Sequence, residues 1–113
     1  MKPIVSVVIP CYNAEKHLAE TLDSVIGQSF EQIEVICVDN GSTDNTLNIL
    51  NKYVDKDSRI RVLIEASAGE GFARDRGRAE ALGEWLYFLD ADDLMDKNLL
   101  KEAVNKGAAS NSD

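Results

Sequence analysis

Three carboxylates fall within four positions at Asp90-Ala91-Asp92-Asp93, directly after the apolar run Trp85-Leu86-Tyr87-Phe88-Leu89. Carboxylates this close repel one another: two unit charges ~4 Å apart cost ~1 kcal/mol in water and ~4 kcal/mol near a protein surface. A divalent cation removes the repulsion, and hard carboxylate oxygens suit Mg2+ or Mn2+. In an extended segment Asp90 and Asp92 point to the same side. The plainer reading is that Asp92, Asp93 or Asp96 caps the next helix. The triplet alone leaves both readings open.

A strand must carry the triplet to where it can act. Trp85 to Leu89 is short, continuous and apolar, the pattern of a strand buried on both faces. The carboxylates then sit where that strand leaves the sheet, the edge at which open α/β sheets bind ligands. The rest of the chain repeats the pattern. Apolar runs predict strands at 4–9, 33–38, 60–64 and 84–89. A helix capped by Asn13 and running to about Gln28 follows the first, with Leu18, Leu22, Val25 and Ile26 on one face. Ser42 or Thr43 caps the second helix, whose stripe is Leu47, Leu50 and Val54. Ala73, Gly77 and Ala81 recur every four residues and let the third helix lie close to the sheet. The fourth spans Lys97 to Lys106, with Leu99, Leu100, Ala103 and Val104 apolar. Residues 107–113 are small and polar, a tail expected to fray.

Strands alternating with helices imply an α/β fold, a Rossmann-like parallel sheet with right-handed crossovers and helices on both faces. The expected order is 3-2-1-4, which brings Pro10, Asp39 and Asp90 to one carboxyl edge. No Walker loop and no Gly-x-Gly-x-x-Gly follows the first strand. A nucleotide's phosphates lack the usual glycine cradle here, a role that a metal at the triplet can fill.

Composition narrows the classes. The 113 residues make one domain, and the net charge of −8 argues against nucleic acid and anionic membrane surfaces. No apolar run approaches the ~18 residues of a membrane span. Met1-Lys2-Pro3 leads into a strand rather than a signal peptide, so a cytoplasmic location is expected. Cys11 and Cys37 lie in or beside apolar runs without a histidine pair, and read as buried free thiols. His17, the single histidine, falls on the polar side of its helix.

Four motifs occur in order. Val5-Ser6-Val7-Val8-Ile9-Pro10-Cys11-Tyr12-Asn13-Ala14-Glu15 resembles the opening strand of family 2 glycosyltransferases. Val38-Asp39-Asn40-Gly41-Ser42-Thr43-Asp44 is similar to their second motif, Gly69 with Ala73-Arg74-Asp75-Arg76-Gly77 to the third, and Leu89-Asp90-Ala91-Asp92-Asp93 to their metal-binding DxD element. The resemblance covers about residues 3 to 104. It implies the nucleotide-sugar-binding half of a GT-A domain, at 1–106, in a chain that is a truncated piece of the family's full catalytic domain.

By position, the resemblance implies that Pro10 and Tyr12 border the nucleobase. Asp39 and Asn40 match an acidic pair whose second member contacts uracil. Asn40 departs from the usual Asp and puts uracil in question. Asp90 approaches the ribose, Asp92 and Asp93 hold Mn2+ or Mg2+ on the diphosphate, and Arg74 reaches toward the carboxylates or phosphates. The donor is a nucleotide diphosphate sugar, UDP-linked by expectation. The full enzyme passes its sugar with inversion to a saccharide or lipid-linked acceptor, in cell-surface polysaccharide biosynthesis, with membrane association. The catalytic base is expected beyond Asp113, leaving this piece inactive. Exposed Leu94, Met95, Leu99, Leu100 and Val104 are expected to drive homo-oligomerisation through the truncated face.

Two rivals remain at this level. A receiver-type signalling domain binds Mg2+ with clustered carboxylates, but normally places an acidic pair after its first strand, where this chain has Pro10-Cys11-Tyr12. A non-catalytic nucleotide-binding module is the other.

Overall fold

The computed structural model describes residues 2–110. Its elements alternate along the chain as β1 (Val5–Cys11), α1 (Leu18–Ile26), β2 (Ile33–Asp39), α2 (Thr46–Lys56), β3 (Ile60–Ile64), α3 (Glu70–Glu80), β4 (Trp85–Phe88) and α4 (Leu99–Ser110). The strands form one parallel sheet in the order β3-β2-β1-β4, as their sequence pattern implies. β1 and β2 occupy its centre, and β2 is buried along its whole length. Continuous β-branched runs are what a doubly covered parallel sheet requires.

Alternation along the strands divides the interior in two. Val5, Val7, Ile9 and Cys11 meet Leu18, Leu22 and Val25 of α1, Leu50 and Tyr53 of α2, and Leu100 of α4. On the other face Val8, Ile36 and Val38 meet Ala73 of α3. Gly77 lies so close to β1 that a Cβ there would collide with Val8. The small-residue stripe therefore does seat α3, although Ala81 lies past the helix end, at its C-cap.

Several local expectations are corrected. The first two residues of β4 are exposed, Trp85 at 40% and Leu86 at 41%. Among the described residues β4 pairs only with β1, so it is an edge strand and is not covered on both faces. α1 begins at Leu18, and Asn13 does not cap it. Asn13 instead takes a left-handed φ of 46°. α2 starts after Asn45, and no side chain of Ser42 or Thr43 caps it. α4 starts at Leu99 and continues through Ser110. Gly107 lets it pass over the Trp85 ring, since a Cβ there would stand 2.7 Å from the ring edge. Of the expected tail, 107–110 are helical and 111–113 lie outside the described residues.

The expected exposed face of α4 is also different. Met95 and Leu100 are buried, and Leu99 and Val104 pack against the core. Leu94 is exposed, and so are Leu82, Trp85 and Leu86. Cys11 and Cys37 are free and buried, as expected. Contact with the Cys37 thiol, then burial, pushes the Cys11 thiol well above its ordinary range.

Candidate functional site

The carboxyl edge of the sheet is closed at one end by a mesh of hydrogen bonds between the loops after β1 and β2. The Asn13 N–H donates to Ser42 Oγ at 2.9 Å, and Thr43 N–H donates back to Asn13 Oδ1 at 2.7 Å. The Ala14 N–H donates to Thr46 Oγ1 at 2.8 Å, and that hydroxyl donates to Asp44 Oδ1 at 2.5 Å. Asn45 N–H donates to Glu15 Oε1 at 3.0 Å. The turn-rich segment 39–46 thus serves less as a helix cap than as a brace for residues 12–15. Asp44 is half-buried, and its carboxyl is lowered: desolvation, the largest single influence, opposes this but is outweighed by the combined Thr46 and Glu15 donors.

Asp39 and Asn40 end β2. Asp39 is 4% exposed, opposite Cys11 in register, and its Oδ1 has no partner among the described residues. A buried carboxylate oxygen without a donor costs more than the ~1–3 kcal/mol of a neutral orphan. Asn40 is fully engaged. Its Nδ2 donates to Ser67 O at 2.7 Å and Glu65 O at 3.1 Å, and its Oδ1 accepts the Gly69 N–H at 3.0 Å.

At the other end, Leu89 N–H donates to Val8 O and Asp93 N–H to Asp90 O, both at 3.0 Å. The turn brings one oxygen from each of Asp90, Asp92 and Asp93 within 4.8 Å of one another, all on exposed side chains. The helix-cap alternative goes instead to Asp96, whose Oδ1 accepts the Asn98 N–H at 3.1 Å. Thr21 Oγ1 donates to Ala91 O at 2.9 Å and ties the acidic turn to α1. Three hard oxygen donors with no hydrogen bond or ion pair among the described residues fit a divalent cation such as Mg2+ or Mn2+.

Between these two ends lies a cavity of about 690 Å³, a size suited to a small-molecule ligand. Of the expected donor-binding residues, Pro10, Tyr12 and Asn40 line it, and so does Asp92 of the metal pair. Asp90 and Asp93 stand beside Asp92 in the triplet rather than in the wall. Asp39 is not in the wall either. It lies beside Cys11, which is.

Arg74 is turned elsewhere: it pairs with Glu70 at 2.7 Å and stands 5.9 Å from the centre of the Phe88 ring. Sequence reasoning did not pick out Lys16, His17, Ala68 and Glu70 as site residues, and named Gly69 only as part of the third motif; all five also line the wall. His17 is exposed as expected, yet it sits on the rim. The available signal was topological, because each of these residues lies at the start of a helix that follows a strand's carboxyl end.

A parallel 3-2-1-4 sheet with an acidic triplet after its fourth strand, and a cavity at its carboxyl edge, is the fold of the GT-A glycosyltransferases. The chain belongs to glycosyl transferase family 2, whose model matches residues 6–113. Among curated relatives, the putative teichuronic acid biosynthesis glycosyltransferase TuaG of Bacillus subtilis is 41% identical over 104 residues, 91% of this chain and 41% of that protein. An uncharacterized glycosyltransferase of Haemophilus influenzae is 36% identical, over 91% of this chain and 42% of its own length.

Among solved structures, a fragment of Staphylococcus aureus TarS in complex with UDP superposes with a TM-score of 0.87 at 36% identity, covering 94% of this chain and 32% of that one. The mannosyltransferase PcManGT of Pyrobaculum calidifontis, in complex with GDP-Man and Mn2+, gives 0.87 at 28% identity, covering 96% and 33%. The chain therefore spans well under half the length of these relatives. The family match removes the receiver-domain reading.

Proposed function

We propose that this domain binds a nucleotide diphosphate sugar, UDP-linked, together with Mn2+ or Mg2+. The observation that carries the reading is the placement of Asp92 in the cavity wall with Asp90 and Asp93 beside it. Asp92 and Asp93 would hold the cation, with Asp90 toward the ribose or completing the set. Pro10 and Tyr12 would flank the base. The orphan oxygen of Asp39 supports an N–H donor from the base, reached by a small shift of the Cys11–Tyr12 segment. The bound cation would supply the charge that stabilises a departing diphosphate. The UDP complex of TarS supports uridine, and the GDP-Man complex of PcManGT shows that this fold also accepts guanine in a relative. Arg74 would reach the diphosphate only by leaving Glu70.

The whole protein would transfer the sugar to a saccharide or lipid-linked acceptor hydroxyl with inversion, in cell-surface polysaccharide synthesis at the cytoplasmic side of a membrane. Among the described residues no helix is long and apolar enough to cross one. A base must come within ~2.6–3.2 Å of the acceptor hydroxyl, and a carboxylate on a cation is a poor base because the cation lowers its proton affinity. Asp39 is at the far end of the edge. The base is therefore assigned to the part of the relatives that this chain does not span, and residues 1–113 would bind donor without transferring it. The apolar surface at Leu82, Trp85, Leu86 and Leu94 is where that part, or a second copy, would dock.

Titration calorimetry with UDP and UDP-sugars, in Mg2+ and then in chelator, tests the reading. Binding is expected only with the cation. Equal affinity in both conditions would remove the metal from the site, and no binding of any nucleotide would remove the proposal.

A further inference from the structure

We propose that Asn40 is a positioning residue that latches the 65–69 loop into the wall of the donor cavity, and that it does not read the base. The inference rests on the nucleotide-binding reading of that cavity and assigns the residue at which this chain departs from the family's usual Asp. Asn40 is 8% exposed. Both hydrogens of its amide nitrogen are used, on Glu65 O and Ser67 O, and its oxygen takes the Gly69 N–H. The orientation is fixed by chemistry, because the flipped amide would set its oxygen against two carbonyl oxygens.

The backbone N–H of Asn40 also donates to Cys11 O at 2.8 Å. One residue thus joins the ends of β1 and β2 to the loop after β3. The loop has further ties: Glu65 N–H donates to Asp39 O at 3.0 Å, and Ser67 N–H donates to Glu65 Oε2 at 2.9 Å. Gly69 sits at a φ of 125° that only glycine adopts readily, and with Ala68 it lines the cavity. An Asp at position 40 could still accept from Gly69. It could not donate to the two carbonyls, and would place negative charge against them. Asn here is therefore a requirement of the loop's conformation. Base selection falls to groups with free hydrogen-bonding capacity, Asp39 Oδ1 first among them.

The test compares the protein with its Asn40→Asp and Asn40→Ala variants by nuclear magnetic resonance and calorimetry. Mg2+ is used because Mn2+ broadens the signals. In the unaltered protein the Asn40 side-chain amide resonances and the Gly69 amide are expected to be protected from exchange before any nucleotide is added. They should shift little at saturating UDP. In both variants the Gly69 and Ser67 amides should move and exchange faster. Affinity for UDP and for GDP should fall together by about tenfold, leaving their ratio and the binding of Mg2+ alone unchanged.

A changed UDP-to-GDP ratio, or large UDP-induced shifts of the Asn40 side-chain amide, would overturn the latch in favour of direct base reading. Unaltered Gly69 and Ser67 signals in both variants would overturn it as well. If a variant fails to fold, the protection and shift measurements on the unaltered protein decide the question. If nucleotide never binds but the Gly69 signature is present, the donor-site reading fails while the loop latch stands.

Discussion

At the β1–β2 end of the carboxyl edge, Asn13, Asn40, Asp44 and Thr46 all place their side-chain polar atoms on partners across the loops. At the β4 end, Asp90, Asp92 and Asp93 crowd together with nothing to bond. Apart from the orphan oxygen of Asp39, the first end is hydrogen-bonded as folded, so most of its shape is set before a ligand arrives. On the proposed reading, the second would be completed by a cation. Polar groups satisfied internally act as framework, whereas unsatisfied ones of like charge mark where binding energy is collected. Function and stability should therefore separate along this edge.

Asp92→Asn tests that separation at its functional end and should have the largest effect. Losing one carboxylate from the set should weaken metal-dependent UDP binding on the order of 100-fold. Stability should stay within ~0.5 kcal/mol, because an exposed, repelled charge is removed. Calorimetry and urea unfolding of the same sample check both. A marked loss of stability would mean that the triplet also holds the fold together.

Thr46→Val should behave in the opposite way. The Thr46 side chain is fully buried, and loss of its hydroxyl leaves the Ala14 N–H without a partner and Asp44 with only the Thr46 and Glu15 backbone N–H donors, at a cost of ~1–3 kcal/mol by urea unfolding. UDP binding should weaken severalfold as the Tyr12–Ala14 wall loosens, with Mg2+ affinity unchanged. A normal wall with normal stability would break the comparison.

The smallest effect is expected away from both ends. The Tyr53 hydroxyl joins α2 to α1 by donating to Asp23 Oδ1 at 2.8 Å. Burial, then this hydrogen bond, pushes the phenol up to about 12. An unfolded tyrosine ionises near pH ~10. The folded state's advantage is therefore fully present below that pH and is lost as pH rises from there through about 12. Tyr53→Phe should cost ~1 kcal/mol at pH 7 and flatten the alkaline decline, leaving nucleotide affinity unchanged. Unfolding curves at neutral and alkaline pH read it out.

The strands and their order were legible because burial imposes period and β-branching on short runs, and β3 begins and ends where its sequence pattern does. β4 was misjudged for a local reason: Trp85-Leu86-Tyr87-Phe88 is apolar throughout, yet half of it is uncovered at an edge. The triplet was legible because its members are adjacent in sequence. Asn40 was not, because its partners are carbonyl oxygens 25 and 27 residues away, which any residue type supplies. Asn13 was misread in the same way. A good capping residue gave its oxygen to an N–H 30 positions on instead of to the helix beside it.

The central strand has a consequence for how the chain assembles on the ribosome. Of the four strands β1 emerges before the others, and its two neighbours arrive at very different times. Ile33 reaches Val5 after one helix, but Trp85 pairs with that same residue only after three helices and two strands have been made. At ~5–20 residues per second, β1 spends several seconds with one edge complete and the other unmet. During that interval Val8 and the unpaired backbone of β1 are open to strands from other nascent chains. The close seat of Gly77 against Val8 closes part of that window, because α3 is synthesised just before β4 and can shelter the strand until its last partner is delivered.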